Sequence, residues 1–265
     1  PRRRSEAETT PRRAVDGVRD TDAAADAAAS PLFRTRGPLR LPDDREILVD
    51  RPELEKALLL ARQPVVTQYL AILSARQTGK TTLLLSMMDA LRDETTCVFV
   101  DLSVLRGQDA PDCFRLVSSQ LAAALAAHRG KGDSAIPSPT ADRPVAFLDY
   151  LQRLAKAIAV PRIVLLMDEV GALAPEVSDA FFNTVRTVFT QGRGLRNSLA
   201  KYLFVFSGAV DLYGLTFGTN SPLNICEKIY LEDFDQEQVS QLMGRFTRLG
   251  TPVSSDAASA VHALT

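Results

Sequence analysis

Along most of the chain, short runs that are apolar at every position alternate with longer runs whose apolar residues recur every three or four positions. YLAILSA (69–75) reads as a buried strand, and TTLLLSMMDALRD (81–93) follows as a helix. TCVFVDLS (96–103) predicts a second strand and CFRLVSSQLAAALAAH (113–128) a helix. RGKGDSAIPSPTADR (129–143) is a Gly/Pro/Ser-rich loop. PVAFLDYLQRLAKAIA (144–159) is helical, and RIVLLMDE (162–169) is the most hydrophobic strand. Val177, Phe181, Val185 and Val188 place a helix over 176–190, with QGRGLRNS (191–198) as the loop behind it. KYLFVFSG (201–208) and EKIYLEDF (227–234) complete five strands. Strands apolar throughout are buried on both faces by helices. The expected fold is therefore a three-layer α/β arrangement around a mostly parallel five-stranded sheet.

Behind the fifth strand the pattern changes. Asp235 can cap a helix, with Gln238 as its capping-box partner, and helices over 236–248 and about 255–264 follow without further strands. Residues 232–265 therefore read as the start of a helical lid subdomain, incomplete at its end, behind a core spanning 34–231. Residues 1–33, with RRR, PRR and TDAAADAAAS, have too few large apolar side chains to offset ordering entropy and are expected to be a disordered linker or tail.

The junction between the first strand and its helix carries chemistry. SARQTGKTT (74–82) ends like a P-loop, in which backbone N–H groups and a helix N-terminus cradle phosphates. Gly79 lets the backbone come close to a phosphate, Lys80 supplies a positive charge to the β- and γ-phosphates, and the Thr81 hydroxyl binds Mg²⁺. Ser74 replaces the first glycine of the pattern. A tripeptide GKT alone means little; placed between a buried strand and a helix it defines a three-layer P-loop NTPase fold. Ser74, Gln77, Thr78, Gly79, Lys80, Thr81 and Thr82 are the expected nucleotide-binding residues.

About ninety residues later, Asp168 and Glu169 end a strand apolar on both faces. Ligands in such sheets bind beyond the carboxyl ends of the strands. Asp168 is thus the expected partner of Thr81 in holding Mg²⁺, and Glu169 the group that polarises an attacking water. Ser207, at the end of the fourth strand, is expected to face the γ-phosphate and orient that water. Arg193 and Arg196 precede the same strand; an arginine there can act on a neighbouring subunit's phosphate, although a solvated loop arginine is the commoner meaning. His128 and His262 have no ligand-like neighbours, and Met87 and Met88 read as core filler.

Composition narrows the partners. A net charge of −1 gives no support to a simple nucleic-acid binder, and no apolar run approaches the roughly 20 residues of a membrane span. Cys97, Cys113 and Cys226 lack paired spacing, which predicts reduced thiols and a cytoplasmic protein. Proline at position 1 without a signal-like segment predicts a piece of a longer chain.

The region from about 34 to 265 resembles the AAA-like domains of bacterial STAND-type signalling ATPases, kin of the archaeal ATPase and Orc/Cdc6-like groups. The resemblance is carried by GPLRLP (37–42), LVDRPELEKAL (48–58), SARQTGKTT, LLMDEV (165–170), FSGAVDLY (206–213) and SPLNICEKIYLEDFDQEQVSQL (221–242). It implies that the element from Val49 to Arg51 packs near the nucleobase, and that a small residue in place of the first P-loop glycine is familiar. It also implies ATP or ADP with Mg²⁺, a longer chain with effector and sensor domains, and a homo-oligomer on activation. The expected function is an ATP-binding, slowly hydrolysing switch; a DNA-handling ATPase of the origin-recognition type is the second choice. A degenerate nucleotide-holding scaffold is disfavoured by intact Lys80, Asp168 and Glu169.

Overall fold

The structure, a computed structural model, describes residues 37–127, 135–195, 197–209, 222–247 and 252–264. The expected tail over 1–33, and His128 and Arg196, lie outside these residues. Five strands form one parallel sheet: β1 (Tyr69–Ser74), β2 (Thr96–Asp101), β3 (Ile163–Asp168), β4 (Tyr202–Ala209) and β5 (Cys226–Tyr230), in the order β2-β3-β4-β1-β5. All side chains of β1 and β3 are buried, as are all but the last of β4. The edge strands β2 and β5 instead mix buried with half-buried positions and end on an exposed one. Continuous apolar runs thus mark the three central strands, where both faces are covered.

Helices α1 (Pro52–Ala61) and α2 (Lys80–Leu91) pack against each other; α3 (Ala110–Ala127), α4 (Pro144–Ala157) and α5 (Pro175–Leu195) pack together as a separate group. The second group meets the sheet through aromatic rings. Tyr69 lies 5.0 Å from Phe189 and 5.2 Å from Phe204, and Phe206 lies 5.0 Å from Phe182. Two buried phenols are tied to backbone: Tyr202 Oη donates to Leu151 O at 2.8 Å and Tyr150 Oη to Ser118 O at 3.2 Å. Helices α6 (Gln236–Thr247) and α7 (Ser255–Leu264) pack on one another behind the sheet's last strand.

Three elements differ from the sequence expectation. Helix α1 was hidden in the LVDRPELEKAL run, although Pro52 at its first turn and Glu53 and Glu55 beside it are ordinary helix-start residues. The fifth strand stops at Tyr230 rather than 234, and residues 231–235 form a connection into α6. Helix α5 continues to Leu195, so Arg193 belongs to a helix and not to a loop. Within it Gly192 serves contact: a Cβ there would fall 2.8 Å from Ala200 N. Gly192→Ala is therefore expected to destabilise the fold by roughly 1–3 kcal/mol, read as a lowered melting temperature.

Met87 is fully buried, whereas Met88 is partly buried against the core. All three cysteines are free, and burial pushes each thiol up to about 12. At pH 8 fewer than ~1 in 1,000 would be thiolate, so native protein should react with a disulfide reagent far more slowly than denatured protein.

Candidate functional site

Strand β1 delivers the chain to Ser74, which is 3% exposed, and α2 begins six residues later at Lys80. Between them the backbone turns through two left-handed positions, Gln77 at φ 64° and Gly79 at φ 94°. Space does not require a glycine at 79, because a Cβ would meet nothing within 4 Å; the left-handed φ does. The turn is laced by hydroxyls. Thr78 Oγ1 hydrogen-bonds the Ser74 hydroxyl and donates to Ala75 O at 3.1 Å, and Ser74 Oγ donates to Ala75 O at 3.2 Å. The side chain at 74 thus pins the loop rather than obstructing it.

Lys80 is 6% exposed and its ammonium is folded into the loop. It donates to Ala75 O, and to Ser74 Oγ at 3.4 Å. Burial lowers its pKa, while Glu169 and Asp168 oppose that shift. A buried cation surrounded by loop dipoles, at the N-terminus of a helix, is a site prepared for an anion.

Asp168 is the last residue of β3 and is 4% exposed. Thr81 Oγ1 donates to its Oδ2 at 2.6 Å across 87 residues of sequence. Its other oxygen accepts from the Glu169 N–H at 3.0 Å. The adjacent Glu169 adopts φ 54° and is exposed, so one carboxylate faces the loop and the other faces outward. Asp101, aligned with Asp168 in the parallel register, adds a third carboxylate to this rim. Hydroxyl and carboxylate oxygens are the hard donors Mg²⁺ takes, and that ion needs only one or two protein ligands beside phosphate oxygens. The described residues include no group of three or more His, Cys, Asp or Glu able to hold a metal, so Thr81 with Asp168 fits a phosphate-bound Mg²⁺ and not a protein-caged metal.

Ser207 is wholly buried, level with Ile72 in the register, and its Oγ has no hydrogen-bond partner among the described residues. Tyr202, Phe204 and Phe206 run along the ring-packed face of β4, so alternation places Ser207 on the opposite face, with α2. Arg193 is far from this rim. Its guanidinium donates to Thr67 O at 3.3 Å, before the start of β1, at the end of the strands opposite the loop.

Two cavities flank the loop. One of about 500 Å³ is lined by Val49, Arg51, Thr78, Gly79 and Phe234, with Val239 of α6. Val49 is buried, and Thr82 Oγ1 accepts from Leu39 N at 3.2 Å, which ties the preceding segment to α2. The second, about 800 Å³, reaches Thr81, Asp168 and Glu169 and continues along Met88 and Phe99. A base-sized apolar chamber on one side of a phosphate loop and a carboxylate rim on the other suit a nucleotide laid across Gly79. Phe234 escapes the sequence reading as a site residue because the apolar fifth run reads as strand through 234, whereas the strand ends at Tyr230.

Fold and loop define the class, an AAA-like domain built on the P-loop NTPase fold. The chain belongs to the AAA-like domain family, whose sequence model matches residues 38–261. No curated protein matches it. Among solved structures it is similar to the Walker-type ATPase of Pyrococcus abyssi, with 18% identity and a TM-score of 0.62 over 87% of this chain and 66% of that one. It is also similar to Cdc6p from Pyrobaculum aerophilum, with 18% identity and a TM-score of 0.54 over 86% of this chain and 56% of that one. The Orc1 protein of Aeropyrum pernix, solved in complex with DNA, aligns at 12% identity and a TM-score of 0.50, over 79% of this chain and 52% of that one. The chain thus spans less than two-thirds of each of these structures. Among the described residues no helix is long and apolar enough to cross a membrane.

Proposed function

We propose that this domain binds ATP with Mg²⁺, hydrolyses it slowly, and uses the nucleotide as a switch over the assembly of a longer signalling or defence protein. The observation that supports it best is the 2.6 Å bond from Thr81 to Asp168 beside the buried Lys80 ammonium. Residues 34–231 serve as the core and 232–265 as a lid over the base chamber.

On binding, Lys80 turns from Ala75 O to the β- and γ-phosphates, and the free N–H groups at the start of α2 receive phosphate oxygens. Thr81 and Asp168 would hold Mg²⁺, which supplies charge neutralisation on the β- and γ-oxygens. Glu169 accepts the proton of a water that attacks the γ-phosphorus while the bond to the ADP oxygen breaks, giving ADP and inorganic phosphate. Ser207, with a free hydroxyl on the α2 face of β4, orients that water. Val49 and Arg51 line the base chamber.

The position of Arg193 supports slow turnover. It stands at the end of the sheet opposite the loop, so within one protomer it does not reach the γ-phosphate. A neighbouring copy can supply the charge, and such contributions are worth roughly 10³–10⁵ in rate. Specific ATPase activity of the wild-type chain should therefore rise with protein concentration. Phosphate release measured across a hundredfold dilution checks this; rapid release independent of concentration contradicts it. The three free thiols, two of them buried, accord with a reducing, cytoplasmic setting.

A further inference from the structure

One side chain joins the phosphate loop to the connection that carries the lid. Arg51 Nη1 donates to Glu232 O at 2.6 Å and Nη2 to Thr78 O at 3.4 Å. The guanidinium carbon also lies 4.1 Å from the centre of the Phe234 ring, a cation–π distance. Burial lowers the Arg51 pKa, while the carboxylates of Glu53, Asp233 and Asp235 oppose this. The group stays charged at any ordinary pH.

The surrounding bonds tie the connection and the start of α6 to the residues on either side of Arg51 and to β1. Glu232 N donates to Glu53 Oε1 at 3.3 Å, and Gln238 Nε2 to Asp50 O at 2.9 Å. Leu231 N donates to Leu73 O at 2.9 Å, hanging the connection on the strand that leads into the loop. Asp235 and Gln238 exchange bonds of 2.8 and 3.0 Å, which fixes the start of α6.

On the loop side, Ala75 O is the shared acceptor. It takes the Lys80 ammonium and the Thr78 hydroxyl, and Thr78 passes its own carbonyl to Arg51. A polyphosphate that draws Lys80 away removes the strongest of these bonds, because charge-assisted hydrogen bonds exceed neutral ones. The turn from Ala75 to Thr78 is then free to re-form around the anion.

We propose that Arg51 is a clasp through which phosphate occupancy of the loop is passed to the lid. In the structure it bridges Thr78 O to Glu232 O and Phe234; a polyphosphate on the loop would withdraw Thr78 O and loosen the connection at 231–235. This rests on the nucleotide reading of the loop given above. It assigns Phe234 and Glu232 a part that neither the phosphate motif nor the carboxylate rim contains. Lysine cannot substitute for Arg51, since a single ammonium does not reach two carbonyls and stack flat on a ring.

Amide hydrogen exchange on the whole chain tests this, with saturating magnesium tripolyphosphate as a probe that has phosphates and no base. In the wild type, amides of 75–81 should slow and those of 231–235 should exchange faster by about threefold or more. In Arg51→Lys and in Phe234→Leu, 231–235 should already exchange faster without the probe, by up to about tenfold. In both variants the probe should add nothing at 231–235. Should Arg51→Lys fail to fold, Phe234→Leu alone decides the matter. A wild-type connection that ignores a protected loop, or a variant connection that responds as the wild type does, overturns the clasp. No protection of 75–81 in the wild type instead overturns the nucleotide reading itself.

Discussion

Replacing Lys80 by alanine is expected to weaken MgATP binding by roughly tenfold or more, at least about 1.4 kcal/mol. The side chain is 6% exposed and already donates into the loop, so its removal deletes a desolvated charge rather than a flexible surface one. Such a charge is worth more than its equivalent in water because little solvent screens it. The fold should tolerate the change: the bonds lost are to Ala75 O and Ser74 Oγ, both of which retain the Thr78 hydroxyl as partner. A ligand at 100 times its Kd stabilises the native state by about 2.7 kcal/mol. The wild type should thus melt several degrees higher with excess MgATP, and Lys80→Ala should show little of that shift at the same concentration. An undiminished shift in the variant would remove Lys80 from the site.

Glu169→Gln should separate binding from chemistry. The carboxylate at 169 is exposed, and its backbone N–H, which bonds Asp168, is unchanged by the substitution. Binding of MgATP should stay within about threefold of the wild type, and turnover should fall by roughly 10²–10⁴, the usual worth of a positioned base. Asp168→Asn should behave differently. It alters the acceptor of the 2.6 Å bond from Thr81, so Mg²⁺-dependent affinity should fall along with turnover. Equal hydrolysis by wild type and Glu169→Gln, followed as phosphate release, would assign the base elsewhere.

The parts of this molecule that were legible in the sequence are those that local pattern encodes. β1, β3 and β4 are apolar at nearly every position because helices cover both faces, and that requirement is written residue by residue. The loop was legible for a similar reason: strand, turn and helix follow one another directly from Tyr69 to Leu91, and Gly79 is needed where φ is positive. The pairing of Thr81 with Asp168 could be anticipated only because parallel strands end at one rim. Helix α1 was obscured because its ten residues include a leucine that is 71% exposed, which blurs the helical period. The end of α5 was not legible because the apolar spacing stops at Val188, while Gly192 carries the helix on by answering the approach of Ala200. The clasp was invisible, since Arg51 and Glu232 are 181 residues apart and no pattern along the chain links them.

The most direct measurement of the central claim is calorimetric titration of the wild-type chain with ATP, with and without Mg²⁺, alongside Lys80→Ala. One nucleotide should bind per chain, more tightly with Mg²⁺ because Thr81 and Asp168 then act on the phosphates through the ion, and at least about tenfold more weakly in the variant. No binding heat with ATP at any temperature tried, or equal affinity in wild type and Lys80→Ala, would contradict the assignment of residues 74–82 as a nucleotide site.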